Sequence, residues 1–219
     1  DTGVVLGGQT AGYKGADKRL DVIATATAAK LPVSEIADID FAYSPPIGTA
    51  NDAMNMAAYT AENKISGYSP ILLASELDDF VTEKQKLIVL DVRDVFAHQK
   101  SKLVGAHHLP LEMLEKNLAQ IPKDVPIVVY DETGKKGHQA LRTLIGAGFN
   151  EVYNISGGHT SLQRHAITEG FKTFNVDLLP IENKNIEKEE LKETETNNNV
   201  STEELERLVI DVRTPGEFM

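Results

Sequence analysis

Three short, predominantly apolar runs of β-forming residues mark the middle of the chain: Ile88 to Val92, Ile127 to Tyr130 and Val152 to Ile155. Continuous apolar runs, rather than alternating ones, predict strands covered on both faces. Helical spacing separates them, with helices starting near Gly137 and near Thr160. That alternation predicts an α/β domain with a central parallel sheet, running from Ile71 to Asp177. Ser75, with Asp78 three residues on, is the expected N-cap of its first helix.

The first third has a different rhythm. Asp1 to Thr10 reads as a turn and a strand that needs a partner from elsewhere. Leu20, Ile23, Ala24, Thr27 and Leu31 fall at helical spacing until Pro32 ends the run. Ser34 caps a short helical turn, and Phe41-Ala42-Tyr43 predicts a brief strand stopped by Pro45 and Pro46. A helix from Asn51 to Asn63 places Ala53, Met56, Ala57 and Thr60 on one face, expected to pack closely. Ser66 to Pro70 reads as a compact linker.

Residues 178–200 form a charged linker, Lys/Glu-rich and then Asn-rich, with too little apolar surface to offset its ordering entropy. Residues 201–219 follow, in which Leu208-Val209-Ile210-Asp211-Val212-Arg213 repeats Ile88-Val89-Leu90-Asp91-Val92-Arg93. A repeat at domain spacing predicts the opening of a second copy of the α/β domain, cut short by the end of the chain.

Composition narrows the function classes. The 219 residues carry a net charge of -11, which argues against nucleic acid or an anionic membrane as partner. The absence of cysteine removes disulfides, thiolate metal sites and thiol chemistry by this polypeptide. No apolar run is long enough for a membrane span and the start lacks a signal-peptide pattern, so a cytoplasmic location is expected.

The chemistry concentrates where Ile127 to Tyr130 ends in Asp131-Glu132-Thr133-Gly134-Lys135-Lys136-Gly137 and opens into a helix. A strand that stops at such a loop turns backbone N–H groups and a helix N-terminus toward one point, making an anion site. Asp131 stands where an enzyme would place a nucleophile. Its carboxylate can fill the cradle, or simply cap the helix, or accept a phosphoryl group. No second carboxylate stands two residues on, where Thr133 is found, which weighs against the last. Lys135 and Lys136 are either phosphate-recognising or solvated charge. His107 and His108 are neighbours on an extended segment and point opposite ways, which suits structural or surface roles better than a shared metal. His138 is placed to add charge to the loop, and His159 and His165 have no partner identifiable from sequence.

With its surroundings this loop resembles that of rhodanese (sulfurtransferase) domains, which reads C-x-x-G-x-R-[ST], and the aligned residues are Asp131, Gly134, Lys136 and Gly137. Leu87 to Arg93 resembles the family's first core strand with its D-x-R end. Gly105-Ala106-His107-His108-Leu109-Pro110 resembles its G-A-x-x-x-P segment, and Asn154-Ile155-Ser156-Gly157-Gly158 its closing strand and turn. Thr214-Pro215-Gly216-Glu217-Phe218 matches the usual continuation T-P-x-E-F. The resemblance implies the fold, while the missing cysteine implies no sulfurtransferase activity.

Residues 1–66 resemble the later part of the dimerisation domain of FAD-dependent pyridine nucleotide-disulfide oxidoreductases, in the branch of CoA-disulfide reductases and NADH oxidases. The residues that carry this are Gly15-Ala16-Asp17-Lys18-Arg19-Leu20-Asp21-Val22, Tyr43-Ser44-Pro45-Pro46 and Asn51-Asp52-Ala53-Met54-Asn55-Met56-Ala57. The resemblance implies an α+β fragment ahead of the α/β domain and a homodimer. It also implies FAD and NAD(P)H in upstream domains rather than in this region, since the G-x-G-x-x-G fingerprint does not occur here. It further implies that Tyr43 reaches the partner subunit's active site, with Pro45, Pro46 and Ile47 near the partner's flavin. Two function classes follow. One is the dimerisation and inactive rhodanese-like region of a CoA-disulfide or polysulfide reductase, itself without turnover. The other is a binding or scaffold module that docks a partner or a CoA-type ligand.

Overall fold

A computed structural model describes residues 2–12, 15–44, 48–84, 86–174 and 207–211. They fall into two compact units, one built from the described residues up to Tyr68 together with 207–211, the other from the described residues between 69 and 174. No helix among the described residues is long and apolar enough to cross a membrane.

In the first unit, strand β1 (Gly7–Ala11) is followed by helices α1 (Ala16–Ala29), α2 (Val33–Ala37) and α3 (Ala53–Ile65). Val5, Ile23, Ala26, Val33, Ile36, Met54 and Ala58 close into one core. Asn55 is buried within it, and its side-chain amide donates to the carbonyls of Ala37 (3.1 Å) and Ile39 (2.9 Å), tying α3 to the end of α2. Asp52 caps α3 by accepting from the Met54 N–H, and Arg19 grips the same carboxylate at 2.8 Å. The Arg19 and Asp52 segments, far apart in sequence, are thereby joined.

Four local expectations fail here or nearby. Ser34 does not cap α2: Pro32 holds the N-cap position and Ser34 lies inside the helix. Phe41 to Tyr43 runs without a ladder among the described residues, because no strand lies alongside to pair its backbone. The buried stripe of α3 is Met54, Asn55 and Ala58, not the face of Met56, which is exposed. Small residues occur on both faces of this helix, and packing against α2 selects between them. Ser75 caps nothing: residues 74–76 form a 3₁₀ turn in which Glu76 accepts from the Leu73 N–H. Asp78 instead accepts from the N–H groups of Lys172 and Thr173. The partner that β1 needs is strand β7 (Arg207–Asp211), antiparallel to it. Apart from that strand, the predicted linker 178–200 and second copy 201–219 lie outside the described residues, as do Pro45, Pro46 and Ile47.

The second unit is a five-stranded, all-parallel sheet in the order β2 (Ile71–Leu72), β6 (Val152–Ile155), β5 (Ile127–Tyr130), β3 (Ile88–Asp91) and β4 (His107–His108). Helices α4 (Leu77–Lys84), α5 (Val95–Lys100), α6 (Leu111–Asn117) and α7 (Lys135–Gly146) connect the strands, and α8 (Gly158–Thr168) follows β6. Because side chains alternate along a strand, Ile127 and Val129 join Leu141 and Leu144 of α7 on one face. Val128 and Tyr130 join Leu77 and Leu162 of α8 on the other. Both faces are dry, as the continuous apolar runs require. The strands deliver their C-terminal ends side by side, and there Asp91 ends β3 and Asp131 follows β5.

Candidate functional site

The loop between β5 and α7 is shaped by its glycines. Gly134 precedes α7 with φ 99, a left-handed conformation open chiefly to glycine. Gly137 lies so close to Asn154 that a Cβ there would overlap the Asn154 side-chain oxygen. This tight turn aims backbone N–H groups inward, and the Asp131 side chain takes them. One carboxylate oxygen accepts from the Gly134 N–H (2.5 Å) and the other from the Lys136 N–H (3.0 Å). Asp131 is 3% exposed, and its own carbonyl accepts from the His159 N–H at 2.7 Å, which locks the loop to the start of α8.

Beside it lies a network that the sequence shows only as a D-x-R motif. Asp91 accepts from Arg93 through Nε (2.9 Å) and a terminal guanidinium nitrogen (2.7 Å), from the Tyr130 hydroxyl (2.9 Å) and from His98 Nδ1 (2.8 Å). Burial works to raise the Asp91 pKa, but the hydrogen bonds from Arg93 and His98 outweigh it and bring it down to about 2. Arg93 also donates to the Ser101 carbonyl (2.6 Å) and to Glu132 (3.1 Å), spanning from β3 to the loop. Burial and the Asp91 charge push the Tyr130 phenol above its usual range. His108 contacts the Arg93 carbonyl through Nε2 (3.0 Å) and stacks on His98 with ring centroids 4.1 Å apart, while His107 is exposed.

Further in, His159 is 1% exposed, and its Nε2 lies 3.2 Å from the Ser101 hydroxyl, to which the Gln163 amide donates at 3.1 Å. Burial, reinforced by the Arg93 charge, lowers the His159 pKa to about 4, so its ring is neutral at pH 7. His138 bonds Ser69 through Nδ1 at 2.8 Å, and burial lowers its pKa too. His165 lies 3.8 Å from Glu169. Among the described residues no group of three His, Asp or Glu side chains is arranged to hold a metal ion.

These pieces surround a cleft of about 550 Å³. Arg93, Ser101, Asp131 and His159 form its inner part, and Asp94, Lys100, Glu132, Thr133, Lys135 and Lys136 stand around its mouth. The structure therefore brings Asp131, Lys135 and Lys136 together, with Gly134 and Gly137 shaping their loop. Tyr43 belongs to the other unit, where it is 54% exposed. Sequence reasoning missed Ser101, His159 and Gln163 as site residues because each is unremarkable in its own segment. Asp91 and Arg93 carried a signal, a charged pair ending a wholly apolar strand.

The model of the rhodanese-like domain family matches residues 73–165. Among solved structures, the chain is similar to reduced Bacillus anthracis CoADR-RHD, with TM-score 0.64 and 32% identity over 69% of this chain and 27% of that one. It is also similar to a NAD-dependent persulfide reductase from A. fulgidus, with TM-score 0.55 and 33% identity over 64% of this chain and 24% of that one. The thiosulfate sulfurtransferase GlpE of Pseudomonas savastanoi pv. phaseolicola is 31% identical over 75 residues, which are 34% of this chain and 71% of that protein. The chain thus spans about a quarter of each of the two reductase structures.

Proposed function

Because the chain belongs to the rhodanese-like domain family, we propose that its second unit is a non-catalytic member, serving in a CoA-disulfide, polysulfide or persulfide reductase-like flavoprotein. The observation that carries the proposal is the Asp131 carboxylate, hydrogen-bonded to the amides of its own loop where a sulfur carrier would need them. A persulfide carrier must be a thiolate, and the chain has no cysteine. The unit binds or positions; it does not transfer sulfur.

The wider assignment is supported by the reach of the likeness to CoADR-RHD, which covers 69% of the chain, while the rhodanese-like match at 73–165 covers less than half of it. In this reading the first unit contributes to a homodimer, and Tyr43 reaches the partner subunit's active site, where a phenol can donate to a forming thiolate. The dinucleotide fingerprint does not occur in this sequence, so FAD and NAD(P)H are assigned to other domains and no redox step is routed through these residues.

The test is thiosulfate:cyanide sulfur transfer by the chain as it stands, expected at the buffer background. Turnover above that level would remove the non-catalytic assignment. Light scattering tests the assembly: a dimer is expected, and a strictly monomeric species with an ordered first unit counts against it.

A further inference from the structure

The loop whose amides hold Asp131 is itself held from behind. Asn154 lies within β6, next to Val129 of β5 on one side and Ile71 of β2 on the other, so its backbone is fixed in the sheet. Its side-chain amide donates to the Gly134 carbonyl at 2.8 Å. That carbonyl also accepts the first hydrogen bond of α7, from the His138 N–H at 3.0 Å, while the N–H of the same residue serves Asp131. One side chain thus ties the sheet to the residue from which both the helix and the cradle start.

The other end of that side chain is left unsatisfied. Asn154 is 4% exposed, yet its Oδ1 has no hydrogen-bond partner among the described residues. A buried, unpaired amide oxygen is unfavourable, and a leucine of similar size would fill the space without it. What leucine cannot do is donate to Gly134. The unpaired oxygen lies against Gly137, where a Cβ would overlap it and come within 3.2 Å of an Asp131 carboxylate oxygen. Gly137 sits inside α7 with no left-handed φ, so the contact rather than the conformation calls for glycine there.

We infer that Asn154 is the positioning residue of the cradle: it pins Gly134 so that its amide faces the Asp131 position whatever side chain stands there, and Gly137 is the space that admits it. The inference rests on the reading of this loop as an anion cradle filled by the chain's own carboxylate, and it names what keeps the cradle formed. Asp131 occupies the cradle, and Asn154 builds it.

Amide hydrogen exchange on the full chain reads positioning apart from stability. Asn154→Leu should speed exchange at Gly134 and Lys136 by about tenfold beyond any change at the core amides of β3 and β5. Acceleration shared equally by those core amides would reduce Asn154 to a packing role and overturn the inference. A mutant cycle checks the contact with Gly137. Gly137→Ala should lower the melting temperature by several degrees in the wild type and by far less in Asn154→Ala, where the opposing oxygen is gone. Equal losses in the two backgrounds would also overturn it. The functional readout uses Asp131→Asn, which opens the cradle to sulfate. Adding Asn154→Leu should abolish the extra sulfate stabilisation, and its persistence would strike the role of Asn154 alone. Absence of any extra sulfate stabilisation in Asp131→Asn itself would instead remove the reading of the loop as a cradle.

Discussion

Two aspartates sit at the ends of neighbouring parallel strands and are both buried, yet they are satisfied in opposite ways. Asp131 is answered by two backbone amides within five residues of itself. Asp91 is answered by side chains from three elements: Arg93 after its own strand, His98 on α5 and Tyr130 on β5. The first is a local device whose donors exist whatever the neighbouring side chains are. The second is a tertiary clasp whose members depend on one another, since a buried cation that loses its counter-ion is left in a medium that cannot solvate it. Asp91 therefore belongs to the stability of the fold, and Asp131 to the state of the site.

The sharpest way to break this contrast is to truncate each in turn. Asp91→Ala strands the buried Arg93 and leaves the Tyr130 hydroxyl without its acceptor, and it should cost about 3–5 kcal/mol in urea unfolding. Asp131→Ala removes two hydrogen bonds at a loop next to solvent and should cost about 1–2 kcal/mol. Similar losses from the two would mean that the clasp is no more cooperative than the loop.

That asymmetry also explains what was readable in advance. The strands at 88–91, 127–130 and 152–155 and the helices after them were legible because apolar period and turn residues are local signals. The Asp131 loop was legible for the same reason: donor and acceptor lie within five residues. Ser101 meets His159 across 58 residues, and Tyr130 meets Asp91 across 39, and nothing in the intervening sequence records either meeting. On α3 the signal was present but ambiguous, because small residues occupy both faces and only packing against α2 decides that Met54 goes in and Met56 stays out.

Acid titration separates the clasp from the cleft in a second way. His159 has a folded pKa of about 4 against an ordinary 6.5, so below pH 6.5 the unfolded chain takes up a proton that the folded chain refuses. Stability is full above that pH and falls by about 3 kcal/mol as pH drops from 6.5 to 4. Asp91 has a folded pKa of about 2 against 3.8, so its contribution is present above 3.8 and is lost, by about 2 kcal/mol, as pH falls through 2. Two successive acid slopes are expected in chemical denaturation across this range. His159→Gln, which keeps a partner for the Ser101 hydroxyl, should flatten the first and spare the second. A single slope unaffected by His159→Gln would show that the histidine is not held neutral by its burial.

Asp131→Asn tests the local device more gently. One carboxylate oxygen becomes an NH₂ group, which cannot accept, so either the Gly134 or the Lys136 N–H loses its partner, at a cost of about 1 kcal/mol. The released amide then becomes available to an anion from solution. Sulfate should raise the melting temperature of Asp131→Asn more than that of the wild type. Equal shifts would mean that the carboxylate does not occupy the anion position and serves only to cap α7.

The smallest expected effect is also the most diagnostic. Asp131→Cys places a thiol at the end of β5, facing the Gly134 and Lys136 amides that now hold a carboxylate. Those amides and the N-terminus of the 12-residue α7 favour the thiolate, and Lys135 and Lys136 add positive charge at the cleft mouth. The cradle lacks the planar, bidentate guanidinium that the family's loop carries where this chain has Lys136, and a lysine is a weaker clamp for a sulfur oxyanion. A trace of thiosulfate:cyanide transfer is therefore expected, well below that of a cysteine-bearing relative. It should rise when Lys136 is also replaced by Arg. Recovery in the single variant would show that the aspartate alone silences the loop, whereas recovery in the double variant only would show that Lys136 shares in silencing it. Failure of both variants, with the cysteine shown to be alkylated faster than a free thiol, would place the block in substrate access to the cleft rather than in the missing nucleophile.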